Sequence, residues 1–258
     1  MYTMSIIKGI KLQKLMNFPK GLVFTASYLS SQGVDTRLLA KYKKSNWLAS
    51  IGDGAYALYG DKVDWQGALS AMQNQLKLPV HCGARTALEL QGYSHYVAAS
   101  SRDVFLFGSS GQKLPRWFEK YNWDVNVTYK MTSLFPENLQ GSYVSFSAGS
   151  FTINISSPER AAMEMLYHVP AKQGFNEAAR IMESLLTLRP VLVQKLLESC
   201  VSIKVKRLFL YMAQAANLPF VAKLDLTKVD LGKGDRTVVK GGRLDLKYRI
   251  TVPRGGDA

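Results

Sequence analysis

The chain has 258 residues, 47% of them hydrophobic and 20% charged, with a formal net charge of +14. That balance excludes a disordered chain, which lacks the apolar residues to bury a core, and it favours an anionic partner without saying which. Cys82 and Cys200 are too few for a disulfide scaffold and form no Cys-x-x-Cys pair, so they read as core thiols of a reducing cytoplasm.

The charge is divided along the chain. Lys plus Arg minus Asp plus Glu comes to +6 over residues 1–95, +1 over 96–199 and +7 over 200–258, two basic ends around a nearly neutral middle. Lys8, Lys11 and Lys14 interrupt any secretory apolar region, and the longest uncharged run, Asn138–Pro158, alternates like strands rather than a membrane span. A soluble cytoplasmic protein is expected.

Ser5–Asn17 has helical spacing, ended by Phe18-Pro19-Lys20-Gly21, and Leu22-Val23-Phe24 reads as a short extended piece. Thr25 is an N-cap candidate for a helix over Ala26–Gln32, with Gly33 as its stop. Asp35 or Thr36 would cap the next helix. Leu38, Leu39 and Tyr42 form its apolar stripe, and Arg37, Lys41 and Lys44 share a second face. Trp47–Ile51 and Ala55–Leu58 flank Gly52-Asp53-Gly54 and predict a hairpin. Helix, turn, basic helix and hairpin in this order make a winged helix-turn-helix, whose second helix enters the major groove.

Asp64–Leu76 and Gly83–Gln91 predict two further helices, read as a brace on the winged helix. Arg102–Gly108 reads as a strand. The aromatics Trp117, Phe118, Tyr121 and Trp123 could stack bases but more often fill a core. Asp124–Tyr129, Ser142–Ser147 and Ser150–Ile155 alternate as half-buried strands, which suggests a mainly antiparallel middle sheet. Ser157-Pro158-Glu159 opens a helix that runs to about His168. Glu177–Leu188, Pro190–Ser199 and Ser202–Ala216 predict three more. Lys204, Lys206 and Arg207 near the start of the last one oppose its dipole and read as solvated surface or an anion site. The tail returns to strands: Val238, Val239 and the alternating Leu244, Leu246, Tyr248, Ile250 and Val252 suggest a hairpin.

Motifs of catalysis are not found. Gly232-Lys233-Gly234 lacks the spacing of a phosphate loop, Gly108-Ser109-Ser110-Gly111 is not a nucleophile elbow, and His81, His95 and His168 are isolated in sequence. The acids are scattered, unlike the clustered carboxylates of a metal-dependent nuclease. No enzyme activity, cofactor or metal is expected. The readings in contention are a DNA-binding regulator, a nucleic-acid-processing protein and an RNA-binding module that uses the basic tail.

Three stretches resemble the AbiEi antitoxin family, transcription-regulating components of type IV toxin–antitoxin pairs: FPKGLVFTASYLSSQGVDTRLLAKYKKSNWLASIGDGAYAL, PVHCGARTALELQGYSHYV, and SPERAAMEMLYHVP through LGKGDRTVVKGGRLDLKYRITVP. The likeness implies an autorepressor that binds inverted repeats in its own promoter and counters a cognate nucleotidyltransferase toxin without a stable complex. By the matching motif, Thr36, Arg37, Lys41 and Lys44 would face the DNA groove. In the tail, Lys233, Arg236, Lys240 and Arg243 are a candidate anionic-partner surface on charge alone, with the neighbouring glycines letting backbone approach a phosphate. The fold class expected is α+β. A winged helix-turn-helix domain with its helical brace would occupy residues 1–95. A larger mixed α/β antitoxin domain, with antiparallel strands and a helical bundle, would occupy residues 96–258.

Overall fold

A computed structural model describes residues 17–93 and 103–254. The reading of Ser5–Asn17 as a helix and the position of His95 lie outside the described residues, apart from Asn17 itself. The chain divides into two compact units. The first takes the described part of residues 1–81 together with 111–125 and 145–154; the second takes 82–110, 126–144 and 155–258.

In the first unit, strand β1 (Phe24–Thr25) leads into helix α1 (Ala26–Ser31), and helix α2 (Thr36–Lys44) follows after a turn. The caps are those the side chains allow. Thr25 accepts a hydrogen bond from the Tyr28 amide, and Asp35 Oδ1 accepts one from the Leu38 amide at 2.8 Å. Each satisfies a donor that the first helical turn leaves without a partner, worth about 1 kcal/mol. Strands β2 (Leu48–Gly52) and β3 (Ala55–Leu58) form the hairpin, with Gly54 at a φ of +78° in its turn, where a glycine avoids Cβ strain. Strand β1 pairs with β3, giving a three-stranded sheet of order β1-β3-β2.

Phe24, Leu29, Val34, Leu39, Tyr42 and Leu48 make the core beneath this motif. Each fully buried apolar side chain contributes about 1.5–3 kcal/mol. Helix α3 (Trp65–Ser70), capped by Asp64, continues as a π-helical turn over Ala71–Gln75. Gln75 then serves the backbone of β1: its Nε2 donates to Val23 O at 2.7 Å and its Oε1 accepts from the Thr25 amide at 2.8 Å. Helix α4 (Ala84–Leu90), the other helix read as a brace, packs on elements of the second unit.

A five-stranded sheet has the order β6-β5-β4-β8-β7, built from β4 (Val80–Cys82), β5 (Asp103–Gly108), β6 (Asn126–Met131), β7 (Tyr143–Ala148) and β8 (Phe151–Ser156). The expectation of a mainly antiparallel sheet is corrected here. β5 pairs with β6 in parallel from Asp103↔Asn126 to Gly108↔Met131, and β4 pairs with β8 in parallel. Val104–Phe107 of β5 are all buried, a continuous apolar run of the kind parallel sheets favour rather than the alternation of a half-buried strand. The 17 intervening residues between β5 and β6 are long enough for a parallel crossover. They contain α5 (Arg116–Lys120), and Trp117, Phe118 and Trp123 are buried there. Phe118 and Trp123 stack with ring centroids 5.2 Å apart, and Trp123 Nε1 donates to Phe118 O at 2.8 Å. These rings fill a core rather than offer a platform for bases.

The second unit is organised by helix α6 (Pro158–Tyr167), on which residues Glu159–Leu166 are all buried. Ser157 caps it and Pro158 sits at its first turn, as the sequence predicts. Around it lie α4, α7 (Phe175–Glu183), α8 (Pro190–Ser199) and α9 (Ile203–Ala215). The charged groups buried on it are paired. Arg160 Nε meets Glu164 Oε1 at 2.7 Å, while Glu164 Oε2 accepts from Ser156 Oγ at 2.7 Å and from the Ala84 amide at 3.3 Å. A Cβ on Gly83 would collide with that same Glu164 oxygen and with the Phe107 ring, so this position admits only glycine without repacking. Arg85, two residues on, forms ion pairs with Glu177 at 2.7 Å and Glu89 at 3.1 Å. The Gly83–Leu90 segment therefore acts as a structural knot of the second unit.

Beyond α9 the tail departs from the predicted strands. Pro219–Lys223 and Leu226–Lys228 are 3-10 turns, β9 (Arg243–Asp245) and β10 (Ile250–Val252) pair antiparallel, and Arg236 alone bridges to Ile250 in parallel among the described residues. Leu244–Val252 is thus not one strand. It turns between Asp245 and Ile250, with Arg249 at a φ of +52° and Leu246 82% exposed.

Candidate nucleic-acid interface

The two basic stretches stand on different scaffolds. On α2, 3.6 residues per turn places Arg37, Lys41 and Lys44 within about 60° of arc. Leu39 and Tyr42 point the opposite way and are buried. Burial of one stripe therefore fixes the rotation of the helix and turns the cations outward. Thr36, Arg37, Lys41 and Lys44 are all exposed. Lys41, Lys43 and Lys44 lie in the last turn, where cations favour the helix dipole. No carboxylate forms an ion pair with any of these residues among the described ion pairs.

Lys43 is a basic residue of α2 outside the sequence-read face, because its spacing takes it off the Arg37–Lys44 arc. Its Nζ lies 5.8 Å from the centre of the Tyr56 ring on β3, so it bridges helix and hairpin. The hairpin tip offers Asp53 and backbone groups but no cation of its own. Charge neutralisation by this helix-and-hairpin motif accordingly rests on α2.

In the tail, Lys233, Arg236, Lys240 and Arg243 are exposed. Arg236 joins the backbone ladder: its amide donates to Arg249 O at 2.9 Å and its carbonyl accepts from the Thr251 amide at 3.0 Å. Its side chain donates to Asp235 O, while the Asp235 carboxylate pairs with Arg249 at 2.8 Å. The glycines have structural uses. A Cβ at Gly232 would press on Ile203 at 3.0 Å, and one at Gly242 would collide with Val252 O. They let the tail fold back closely on its own chain.

Of the cations at the start of α9, Lys206 and Arg207 are neither solvated nor open to an anion. Lys206 and Arg207 are 3% and 2% exposed. Lys206 Nζ donates to Asp230 O at 2.9 Å. Arg207 reaches four carbonyls: Leu231 at 2.7 Å, Gly234 at 2.6 Å, Gly232 at 3.0 Å and Arg249 at 3.1 Å. Burial pushes the Arg207 guanidinium below its ordinary range, and the nearby Arg236 and Arg249 push it the same way. These side chains clamp the tail onto α9. Sequence shows their charge but not the carbonyls, which lie 24 to 42 residues away.

The cysteines are structural. Cys82 and Cys200 are buried free thiols, and burial raises both pKa values, that of Cys200 to about 11. Neither is poised as a nucleophile. His81 is buried on β4 and His168 at the end of α6. Among the described residues no cluster of three His, Cys, Asp or Glu side chains could hold a metal ion, and no helix is long and apolar enough to cross a membrane.

Comparison with known proteins adds the family. A model described as "Transcriptional regulator, AbiEi antitoxin, Type IV TA system" matches residues 101–253, and one described as "Transcriptional regulator, AbiEi antitoxin N-terminal domain" matches residues 8–99. No curated protein matches the chain. Among solved structures, the crystal structure of the RV2827C protein from Mycobacterium tuberculosis is similar, with a TM-score of 0.59 and 13% identity over 93% of this chain and 89% of that one. At that identity the likeness is one of fold. With both models matched end to end along the sequence, the chain belongs to the AbiEi antitoxin family of transcriptional regulators of type IV toxin–antitoxin systems.

Proposed function

We propose that the chain represses its own operon by binding inverted repeats in the promoter, and that it counters a nucleotidyltransferase toxin without holding it in a stable complex. The observation that carries the DNA-binding part is the exposed Arg37–Lys41–Lys44 face of α2, unpaired by acids and set opposite the buried Leu39 and Tyr42. On this reading α2 lies in the major groove, Arg37 reads a base edge and Lys41 and Lys44 meet phosphates, with Thr36 at the helix start. Residues 1–95 form the DNA-binding domain and residues 96–258 the antitoxin domain, and the protein acts in the cytoplasm. The exposed Lys233, Arg236, Lys240 and Arg243 give the second domain an anionic partner, either the same DNA or an RNA on which the toxin acts.

The test is footprinting on the chain's own promoter and on a scrambled duplex at matched salt. Protection of paired half-sites one helical turn apart, or a multiple of it, is the expected result. Equal affinity for both duplexes would leave only non-specific phosphate binding and refute the repressor reading.

A further inference from the structure

The second unit contains a hollow of about 530 Å3 built from residues that neither basic stretch supplies. Tyr129 and Lys130 of β6, Tyr167 and His168 at the end of α6, Lys172 beyond it and Lys204 of α9 line it. Three lysines thus line one space. No carboxylate forms an ion pair with Lys130, Lys172 or Lys204 among the described ion pairs. Lys204 is held in place, since its Nζ donates to Tyr167 O at 3.0 Å and Val169 O at 2.6 Å. An ammonium has three N–H groups, so one is left for a ligand. The Lys130 and Lys204 ammoniums lie 5.6 and 5.8 Å from the centre of the same Tyr167 ring, which gathers them.

His168 supplies the second, independent sign of a ligand. It is only 9% exposed, and its ring is fixed against Phe105 and Phe107 with centroids 5.0 and 5.5 Å away. Its Nε2 is buried and has no hydrogen-bond partner. A buried polar atom left so costs about 1–3 kcal/mol, and such an atom calls for an explanation. Burial lowers the His168 pKa to about 4; Glu164 acts against this, and Lys130, Lys204 and Lys172 act with it. The imidazole is therefore neutral at pH 7, and its Nε2 tautomer can donate one hydrogen bond.

An anion with several acceptor oxygens satisfies both features at once: it neutralises the converging cations and takes the Nε2 proton donor. Phosphate has the charge and the oxygens, and the volume lies in the range of small-molecule sites. We propose that this hollow binds the phosphate group of a small phosphorylated ligand, with Lys130, Lys172 and Lys204 as charge partners and His168 Nε2 as a hydrogen-bond donor. The site does not depend on promoter binding by α2.

The experiment is isothermal titration of the full chain with inorganic phosphate and, separately, with adenosine diphosphate, at constant ionic strength. Saturable binding of one molecule per chain is expected. Binding of phosphate alone points to a free-phosphate source, and tighter binding of the diphosphate to a nucleotide. The double variant Lys130→Gln/Lys172→Gln should lose at least tenfold in affinity, whereas Lys130→Arg should keep it within a few-fold. Circular dichroism of each variant reports whether it is folded. Absence of saturable binding by either probe overturns the proposal, as does equal affinity in the folded double variant. Loss of promoter binding in that variant, with neither small anion bound by the wild type, would overturn it too and place the lysines on a nucleic-acid surface.

Discussion

Arg207 is the residue on which the tail's geometry should depend most. Its guanidinium donates to four main-chain carbonyls within residues 231–249 from a position 2% exposed to solvent. A hydrogen bond from a charged donor contributes about 1.5–3 kcal/mol, and these four are not additive because they share one group. The tail carbonyls are near the surface and rehydrate once released, which returns part of the cost. We therefore expect Arg207→Ala to destabilise the tail by about 3 kcal/mol, within the range found when a buried polar network loses its hub. That is roughly a hundredfold change in the local opening equilibrium at 1.4 kcal/mol per decade. The assay is native-state hydrogen exchange at the Val238, Val239 and Thr251 amides, which are bonded to Thr251 Oγ1, Thr251 O and Arg236 O when the tail is closed. Arg207→Lys keeps the charge but has three donors on a single nitrogen and cannot span four carbonyls, so its protection should fall between wild type and Arg207→Ala. Unchanged exchange at all three amides in Arg207→Ala would refute the clamp and return Arg207 to a passive role.

Arg37→Ala should weaken binding to the promoter by about 1–3 kcal/mol and relax preference at one base pair, while Lys41→Ala should weaken all sequences alike; wild-type affinity of both variants in footprinting would remove α2 from the interface. Replacing Lys233, Arg236, Lys240 and Arg243 together by Gln should flatten the slope of log K against log salt by up to about 3–4 if DNA is the partner of the tail, and should instead abolish rescue of toxin-expressing cells with repression intact if it is RNA. Normal behaviour in both assays would mean that these charges are only solvated surface. Gly83→Ala should lower the urea midpoint by the equivalent of about 3 kcal/mol, because its Cβ collides with Glu164 Oε2 and Phe107; an unshifted midpoint would show that the buried cluster gives way freely. His168 titrates near pH 6.5 when unfolded and about 4 when folded, so the unfolded chain takes up the proton first and stability falls as pH drops across that window, by about 3 kcal/mol in all. Urea unfolding of His168→Phe from pH 7 to 4 should lack this component, and an identical slope in the variant would contradict it.

The sequence by itself determined the short-range features. Thr25 and Ser157 cap the helices the sequence assigns them, Asp35 rather than Thr36 caps α2, and the Asp53-Gly54 turn closes its hairpin. These depend on atoms a few residues apart, where side-chain chemistry and backbone sterics decide nearly alone. The outward set of α2 was legible for a similar reason: a 3.6-residue period with one buried stripe leaves the opposite stripe to solvent. Only the tertiary structure decided which cations are spent inside. Arg37 and Arg207 look alike in sequence, yet one is exposed and the other is enclosed by carbonyls from 24 to 42 residues away. It also decided the parallel pairing of β5 with β6, whose partner and direction a strand's own sequence does not name, and the break of Leu244–Val252 at Arg249. The hollow draws Lys130, His168, Lys172 and Lys204 from a strand, a helix end, the chain beyond it and a further helix. No local pattern encodes that meeting, because the distances that create it are set by how α6 and α9 pack, not by the spacing of the four residues along the chain.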